Sequence, residues 1–367
     1  MTAAAAAARF QTLQLAAIDA SAAPGYDAHE AVALVMEPAS GLHAIVAIHS
    51  THLGPAAGGV RRWAYAGEAE ALTDALRLSR GMSYKNAIAG LKAGGGKAVV
   101  LANAPKTEDL LEAFGEAVAR LGGRYVTAED VGMSDADMVV VSRRTSHVAG
   151  LPVAVGEVGG NPGPFTARGA LVGLKAAVRH KLATDDVTDL HVAIQGVGSV
   201  GGALARALAA EGARLTIADV DAARAAALAA ELGAKHVAVD AIMGVKADVF
   251  SPNALGAILN EQSIAALDVA VVAGAANNQL ATADDGARLA ARGILYAPDY
   301  VINAGGIISV VAEYLARNHG EPITLDEVNA QVDAIGPRLA TLFDDADASG
   351  LPTDVVADRT AQRLIGR

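Results

Sequence analysis

Lys85 and Lys97 lie twelve residues apart in the run GMSYKNAIAGLKAGGGKAVV, with Gly94, Gly95 and Gly96 immediately before the second. A lysine beside such a run can be enclosed by closely approaching backbone, and a second ammonium nearby makes its own charge harder to keep. Both effects favour the neutral amine, the form in which a lysine acts as a base near neutral pH. Asp130, in TAEDVGM, is a third candidate, a carboxylate with apolar neighbours at a predicted strand-to-loop junction. Taken singly, each also reads as an exposed surface residue, the ordinary condition of lysine and aspartate.

A second constellation is GVGSVG, formed by Gly196, Val197, Gly198, Ser199, Val200 and Gly201. It follows a predicted strand, Leu190 to Gln195, and opens a helix of small and apolar residues, the context a dinucleotide fingerprint requires. Gly196 permits a tight turn, Gly198 lets backbone approach a pyrophosphate, and Gly201 lets helix and strand pack closely, with amide donors at the helix N-terminus. The next strand, RLTIAD, ends at Asp219. A carboxylate there accepts hydrogen bonds from both adenosine ribose hydroxyls and repels a 2′-phosphate, so the expected cofactor is NAD rather than NADP. An aspartate capping the following helix has the same sequence signature, and the two roles can coexist.

The elements that must position these residues alternate between strand and helix. In the first half, Ala31 to Met36 and His43 to Ile48 read as strands around the turn residues Pro38 to Gly41, with Ala98 to Leu101 and Asp137 to Val141 as further strands. Glu68 to Arg80 reads as a helix, with Lys85 on a helix or helix end. Leu110, Phe114, Val118 and Leu121 have helical spacing behind Thr107, a predicted N-cap with Glu108 and Asp109 in the first turn. Residues 150 to 165, rich in glycine and proline, read as a crossing between domains, or else as an ordinary long loop.

Beyond the crossing, Thr166 to His180 reads as a helix. Strands at Leu190 to Gln195, Arg214 to Ala218, Ala247 to Phe250, Val269 to Val272 and Ile294 to Tyr296 then alternate with helices at Asp221 to Leu232, Ile258 to Ala266 and Thr282 to Arg292. That alternation specifies a parallel, doubly wound sheet. Helices at Leu325 to Phe343 and Thr353 to Leu364 follow. The fold class is therefore α/β with two domains and a cleft between them. Residues 1–150 are read as the substrate-binding, catalytic and oligomerisation domain and 151–334 as a Rossmann-type NAD-binding domain, while residues from about 335 to 367 are expected to pack back on the first. The crossing and the return segment Asn303 to Ile308 are the expected hinges.

With 367 residues, 52% of them hydrophobic and 19% charged, the chain can bury two cores. A net charge of −11 and the absence of a basic run argue against nucleic acid as a partner. The lack of cysteine excludes disulfides, thiolate metal sites and a cysteine nucleophile, and no metal is called for. The start, MTAAAAAARF, has neither a basic segment nor a bulky apolar one, and no long apolar run follows, so the expectation is a cytoplasmic protein without a membrane-spanning segment.

GPAAGGVRRW, GMSYKNAIAGLKAGGGK, TAEDVGM, NPGPFTARG, QGVGSVGG, VVAGAANNQL and GILYAPDYVINAGG occur in this order. Together they resemble the amino acid dehydrogenase family of glutamate, leucine, valine and phenylalanine dehydrogenases, over roughly residues 30 to 317, with the short leucine and valine branch the nearest in length. The resemblance implies reversible oxidative deamination: an L-amino acid, NAD and water give a 2-oxo acid, ammonia and NADH. It implies that Lys85 binds the substrate carboxylate, Lys97 is the base that activates water, and Asp130 exchanges protons with the amino group and the carbinolamine. Asn277 would add a hydrogen bond to the substrate carboxylate, and Gly58 and Gly59 would bring backbone close to the substrate. Thr166, Ala273, Gly274, Ala275 and Asn303 join the glycine loop and Asp219 as cofactor-binding positions. A homo-oligomer is expected on the same ground.

For Lys97 to serve as a base near pH 8, its usual pKa of about 10.4 must fall to roughly 8. Lys85 and a dry closed cleft push in that direction, and Asp130 opposes them. The substrate side chain is expected to meet Ala57, Ala128 and Val301. No matched motif sets a cation at the far end of that pocket, which disfavours glutamate. Ala57 replaces the leucine usual in leucine enzymes and so admits an aromatic substrate such as phenylalanine, whereas Ala128 and Val301 resemble the leucine type. Leucine and other branched-chain substrates are the preferred reading. Two other classes share the nucleotide half: a 2-hydroxy acid dehydrogenase, which would leave the lysine pair unexplained, and an NAD-binding protein without turnover.

Overall fold

A computed structural model of the chain describes residues 10–153, 158–184, 186–320 and 322–367. The N-terminal stretch 1–9 and residues 154–157 of the predicted crossing lie outside the described residues. The chain divides into two units. One holds the residues up to Asn161 with Ser309–Leu325 and Ala361–Arg367; the other holds Pro162–Ile308 with Asp326–Thr360.

The near-continuous apolar runs LHAIVAIHS and GKAVVL place apolar residues on both faces of a sheet, so both faces must be covered. The strands of the first unit are β1 (Gln14–Ala17), β2 (Ala31–Glu37), β3 (Leu42–Ser50), β4 (Ala56–Ala57), β5 (Val60–Trp63), β6 (Gly94–Leu101) and β7 (Tyr125–Val126). Their order is β1-β2-β3-β6-β4-β7, with β5 pairing β6. Pairs β1 to β3 and β3 with β6 are antiparallel, whereas β4 and β5 run parallel to β6. Ile45, Ala47, Val99 and Leu101 pack with Ala71, Ala75 and Leu76 of the helix Glu68–Ile88. Ala44, Val46, Ala98 and Val100 pack on the other side with Leu110, Phe114 and Val118 of the helix Glu108–Arg120.

In the second unit β8 (His191–Gln195), β9 (Arg214–Ala218), β10 (Lys235–His236), β11 (Val249–Pro252), β12 (Val271–Val272) and β13 (Leu295–Tyr296) form a parallel sheet in the order β10-β9-β8-β11-β12-β13. The strand order reverses between β8 and β11, the position at which such sheets open a crevice beyond the strand ends. Among the described residues no helix is long and apolar enough to cross a membrane.

Three expectations are corrected. Asp137 to Val141 is not a strand but part of the helix Asp135–Ser142. Ser134 caps its third amide and Asp137 returns the bond to the Ser134 N–H at 2.8 Å, a capping box that outweighs the β-branched run. Met138 and Val141 turn inward while Val139 is exposed, a helical rather than an alternating pattern. The stretch Leu325 to Phe343 is two helices, Leu325–Asp333 and Ile335–Ser349. Residues 335–360 group with the second unit rather than folding back on the first: Gly173 of the helix Gly163–Leu182 leaves room for Leu339 and Ile302, where a Cβ would lie 2.8 Å and 2.5 Å from their side chains.

Only Ala361–Arg367 of the C-terminal stretch belongs to the first unit, and Arg367 anchors it. Its guanidinium donates to the Asp27 carbonyl at 2.7 Å, the Ala28 carbonyl at 2.8 Å and the His49 carbonyl at 3.1 Å. It also lies 2.7 Å from Nε2 of His49, whose Nδ1 is 2.7 Å from Ser83 Oγ. A neutral imidazole satisfies both contacts. Burial, the Arg367 guanidinium and His29 push the His49 pKa from 6.5 down to about 4. Between those values the unfolded chain binds a proton that the folded chain refuses, so stability falls as pH drops, by at most about 1.4 kcal/mol per pH unit for one proton. The urea midpoint is therefore expected to fall from pH 7 to pH 5 in the natural chain and to fall less in His49→Gln; parallel declines would show that His49 does not carry the effect.

Candidate active site

The pleat of β6 decides where Lys97 points. Val99 and Leu101, two and four residues on, pack with the helix Glu68–Ile88, so Lys97 shares that face of the sheet. Arg61 on β5 pairs in register with Val99 and shares the face too. Asp130 follows the bridge between Val60 and Glu129 and occupies the loop just beyond it, at the predicted strand-to-loop junction. Lys97 Nζ lies 2.8 Å from Asp130 Oδ2, with 7% of the lysine side chain and 23% of the aspartate side chain exposed. Arg61 Nε donates to the same Oδ2 at 3.1 Å and its Nη1 to Asp74 Oδ2 at 3.0 Å, while Tyr65 OH donates to that Asp74 oxygen at 2.6 Å.

This arrangement divides the charge unevenly. Burial pushes the Lys97 ammonium below its usual pKa; Asp130 opposes the fall and Arg61 adds to it. Burial also disfavours the Asp130 carboxylate, but Lys97 and Arg61 outweigh it and hold the group below the usual carboxylate range. Burial and Asp74 together raise the Tyr65 phenol, which remains a hydrogen-bond donor. The pair is thus a fixed carboxylate beside a lysine that gives up its proton unusually easily. Sequence reasoning singled out Lys85 as the second cation, whereas the structure sets Arg61 against Lys97. The signal was present in GPAAGGVRRW: on a strand beginning with inward-facing Val60, Arg61 must face the other way.

Lys85 occupies the last turn of the helix Glu68–Ile88, partly exposed. The glycines before Lys97 serve close packing against different neighbours, Gly95 against that helix, Gly94 against β3 and Gly96 against Tyr125. A Cβ on Gly95 would lie 2.0 Å from the Ser83 amide, and one on Gly94 would lie 2.0 Å from the Ser50 carbonyl oxygen. Asn86 ties the helix down further, donating to the Gly94 carbonyl at 2.6 Å and the Ala57 carbonyl at 3.3 Å. Gly58 and Gly59 meet protein in the same way, since their Cβ atoms would fall 1.8 Å from the Gly96 oxygen and 2.6 Å from the Glu129 oxygen. They let β4 and β5 close on β6 and the Asp130 loop. Ala57 and Ala128 are buried beside them. The first unit thus gathers Lys85, Lys97, Asp130, Gly58, Gly59, Ala57 and Ala128.

In the second unit the glycine loop leaves β8 through Gly196, whose φ of +86° suits glycine. A Cβ there would lie 2.7 Å from Ala254, and one on Gly201 would lie 2.0 Å from the Gly196 oxygen, so both positions require glycine for packing. Gly198 is open, with nothing within 4 Å of a Cβ, and Ser199 begins the helix Ser199–Ala210. The Val197 amide donates to Asp219 Oδ2 at 2.7 Å, and Asp219 Oδ1 accepts from Arg224 Nη2 at 2.7 Å. Asn303 donates to Asn277 Oδ1 at 2.8 Å and to the Ala275 carbonyl at 3.2 Å. Its own Oδ1 is buried without a partner. Ala273 and Val301 are buried, and Gly274 sits against Pro252. Thr166 Oγ1 donates to the Pro162 carbonyl at 3.1 Å, and Gly306 passes close to it.

Comparison with known proteins identifies the family. Residues 29–147 match the family model described as Glu/Leu/Phe/Val dehydrogenase, dimerisation domain, and residues 220–348 match Glutamate/Leucine/Phenylalanine/Valine dehydrogenase. The chain is 44% identical to a leucine dehydrogenase of Thermoactinomyces intermedius over 93% of this chain and 91% of that one. It is 45% identical to a valine dehydrogenase of Streptomyces coelicolor over 91% of this chain and 92% of that one. The crystal structure of L-tryptophan dehydrogenase from Nostoc punctiforme superposes with a TM-score of 0.81 at 40% identity, covering 92% of this chain and 96% of that one. The chain belongs to the glutamate/leucine/phenylalanine/valine dehydrogenase family and is an amino acid dehydrogenase.

Proposed function

We propose that the chain catalyses the NAD-dependent oxidative deamination of branched-chain L-amino acids, leucine foremost, in a reversible reaction. The observation that carries this reading is the buried Lys97–Asp130 contact at 2.8 Å, in which Arg61 holds the carboxylate ionised while burial and Arg61 loosen the lysine proton. A 2-hydroxy acid dehydrogenase has no use for that pair. The second unit fits a dinucleotide: the open Gly198 lies at a helix N-terminus, and the buried Asn303 Oδ1 is an acceptor left without a donor. Gly196 to Gly201, Asp219, Thr166, Ala273 to Ala275 and Asn303 would hold NAD, which when bound would supply the hydride acceptor for the reaction. Residues 29–147, matched as a dimerisation domain, support a homo-oligomer.

The residues of the first unit then divide the proton chemistry. Lys85 pairs with the substrate carboxylate. Asp130 takes a proton from the substrate ammonium, because hydride leaves only when nitrogen can form the iminium. Water attacks that iminium carbon, and neutral Lys97 takes the water proton, giving a carbinolamine. Lys97 releases the water proton to solvent, Asp130 returns its proton to the nitrogen, and the C–N bond breaks as the hydroxyl proton passes to the again neutral Lys97 and ammonia leaves. One amino acid, one water and one NAD give one 2-oxo acid, one ammonium, one NADH and a proton.

Ala57 leaves space that favours a second reading, in which an aromatic amino acid such as phenylalanine is preferred. Initial rates with leucine, valine, phenylalanine and tryptophan decide between them. Leucine is expected to exceed both aromatic substrates in kcat/KM by about tenfold, the scale of a few apolar contacts; phenylalanine or tryptophan in first place would overturn the leucine reading. Lys97→Ala should lower kcat by about 10²- to 10⁴-fold while leaving NADH affinity, read by fluorescence titration, within a few fold. Equal loss of both would mean that the lysine is structural.

Removing Arg61 takes away a cation that opposes the Lys97 charge and supports the Asp130 charge, so both pKa values rise. Deamination requires neutral Lys97, and its rate climbs as pH passes that pKa. In Arg61→Gln the ascending limb of kcat/KM should therefore move to higher pH, with Arg61→Lys moving it less. A lower rate with an unmoved limb would assign Arg61 a packing role only.

A further inference from the structure

Asp219 ends β9 where the adenosine ribose of a bound dinucleotide would meet the second unit, and its charge is not left alone. Oδ2 accepts the Val197 amide at 2.7 Å, and Oδ1 accepts the Asp221 amide at 2.9 Å and Arg224 Nη2 at 2.7 Å. The Asp219 side chain is 5% exposed and that of Arg224 is 47% exposed. Arg224 lies in the first turn of the helix Ala222–Leu232, capped by Asp221, whose carboxylate stands 3.5 Å from Arg224 Nη1. A half-exposed guanidinium therefore sits against the buried carboxylate.

An unpaired carboxylate at this position accepts ribose hydroxyls and rejects a 2′-phosphate. A carboxylate whose charge is partly offset rejects it less, and a guanidinium has five N–H donors, more than its two acidic neighbours engage. From these contacts we infer that Arg224 is a specificity-determining residue for the cofactor: paired with Asp219, it lets the ribose subsite admit a 2′-phosphate, so the preference for NAD over NADP is narrower than Asp219 alone would impose. This rests on the dinucleotide reading above and concerns only its adenosine end.

The test measures binding of 5′-AMP and 2′,5′-ADP by calorimetry, without amino acid and without turnover. The natural chain is expected to bind both, and the ratio of their dissociation constants should move against 2′,5′-ADP by tenfold or more in Arg224→Ala and in Arg224→Gln. Arg224→Lys should keep the ratio within about threefold, since the charge remains. Unchanged thermal midpoints verify folding, and the same shift in the NADPH to NADH affinity ratio extends the result to the full cofactor. An unchanged ratio in both neutral variants overturns the role of Arg224 while leaving the dinucleotide reading intact. Failure of the natural chain to bind either nucleotide overturns the dinucleotide reading and this inference with it.

Discussion

An ammonium group with only 7% of its side chain exposed persists in a folded protein if a neighbour cancels its charge or if it gives up its proton. Lys97 stands between these two outcomes. Asp130 at 2.8 Å supplies the cancelling charge, and Arg61 draws on the same carboxylate oxygen at 3.1 Å. Two cations sharing one oxygen repel each other while each is attracted to it, so neither pairing is complete. A full Lys97–Asp130 ion pair would make the lysine a poor base, and a lysine with no partner would cost several kcal/mol of stability. The shared oxygen is a compromise in which the carboxylate stays charged and the lysine proton is easily removed.

Holding this compromise takes long-range structure. Lys97 comes from β6, Arg61 from β5, Asp130 from the loop beyond β7, and Asp74 and Tyr65 from or near the helix Glu68–Ile88. Gly58 and Gly59 allow the backbone contacts that bring the first three together, and Gly95 lets the helix lie on the sheet. In the second unit the same logic appears at smaller scale. Asp219 bonds the Val197 amide, so the carboxylate at the end of β9 shapes the glycine loop at the end of β8.

Apolar runs such as LHAIVAIHS, and GVGSVG between a strand and a helix, were legible because local pattern and tertiary environment agree. Lys97 and Asp130 were legible as candidates because their flanks are unusual for charged residues. The helix Asp135–Ser142 was missed because three consecutive valines suggest a strand, while the deciding signal was the polar pair Ser134 and Asp137 three residues apart. Arg61 and Arg224 were missed for another reason. Each acts through a partner, and nothing in a linear sequence says that β5 lies beside β6 or that a guanidinium folds back five residues onto Asp219. The glycine run was seen, but not the neighbours it admits: Ser50 at Gly94, the helix through Ser83 at Gly95, and Tyr125 at Gly96.

That last difference bears on how the site is controlled. Because Gly95 contacts Ser83 and Asn86 bonds the Gly94 carbonyl, the helix is registered against β6 at its C-terminal end, one residue from Lys85. Near its other end the same helix carries Asp74, which fixes Arg61 and through it Asp130. One helix therefore places the proposed anchor for the substrate carboxylate and, through Arg61, orients the carboxylate proposed to handle the substrate nitrogen. Carboxylate and amine sit on the same α-carbon of the substrate, so a helix that sets both partners can discriminate the geometry of an L-amino acid before its side chain is considered. The proposed side-chain positions Ala57 and Ala128 contribute no polar side-chain atom to the Lys97, Arg61 and Asp130 contacts, so a change of substrate preference there leaves those contacts in place.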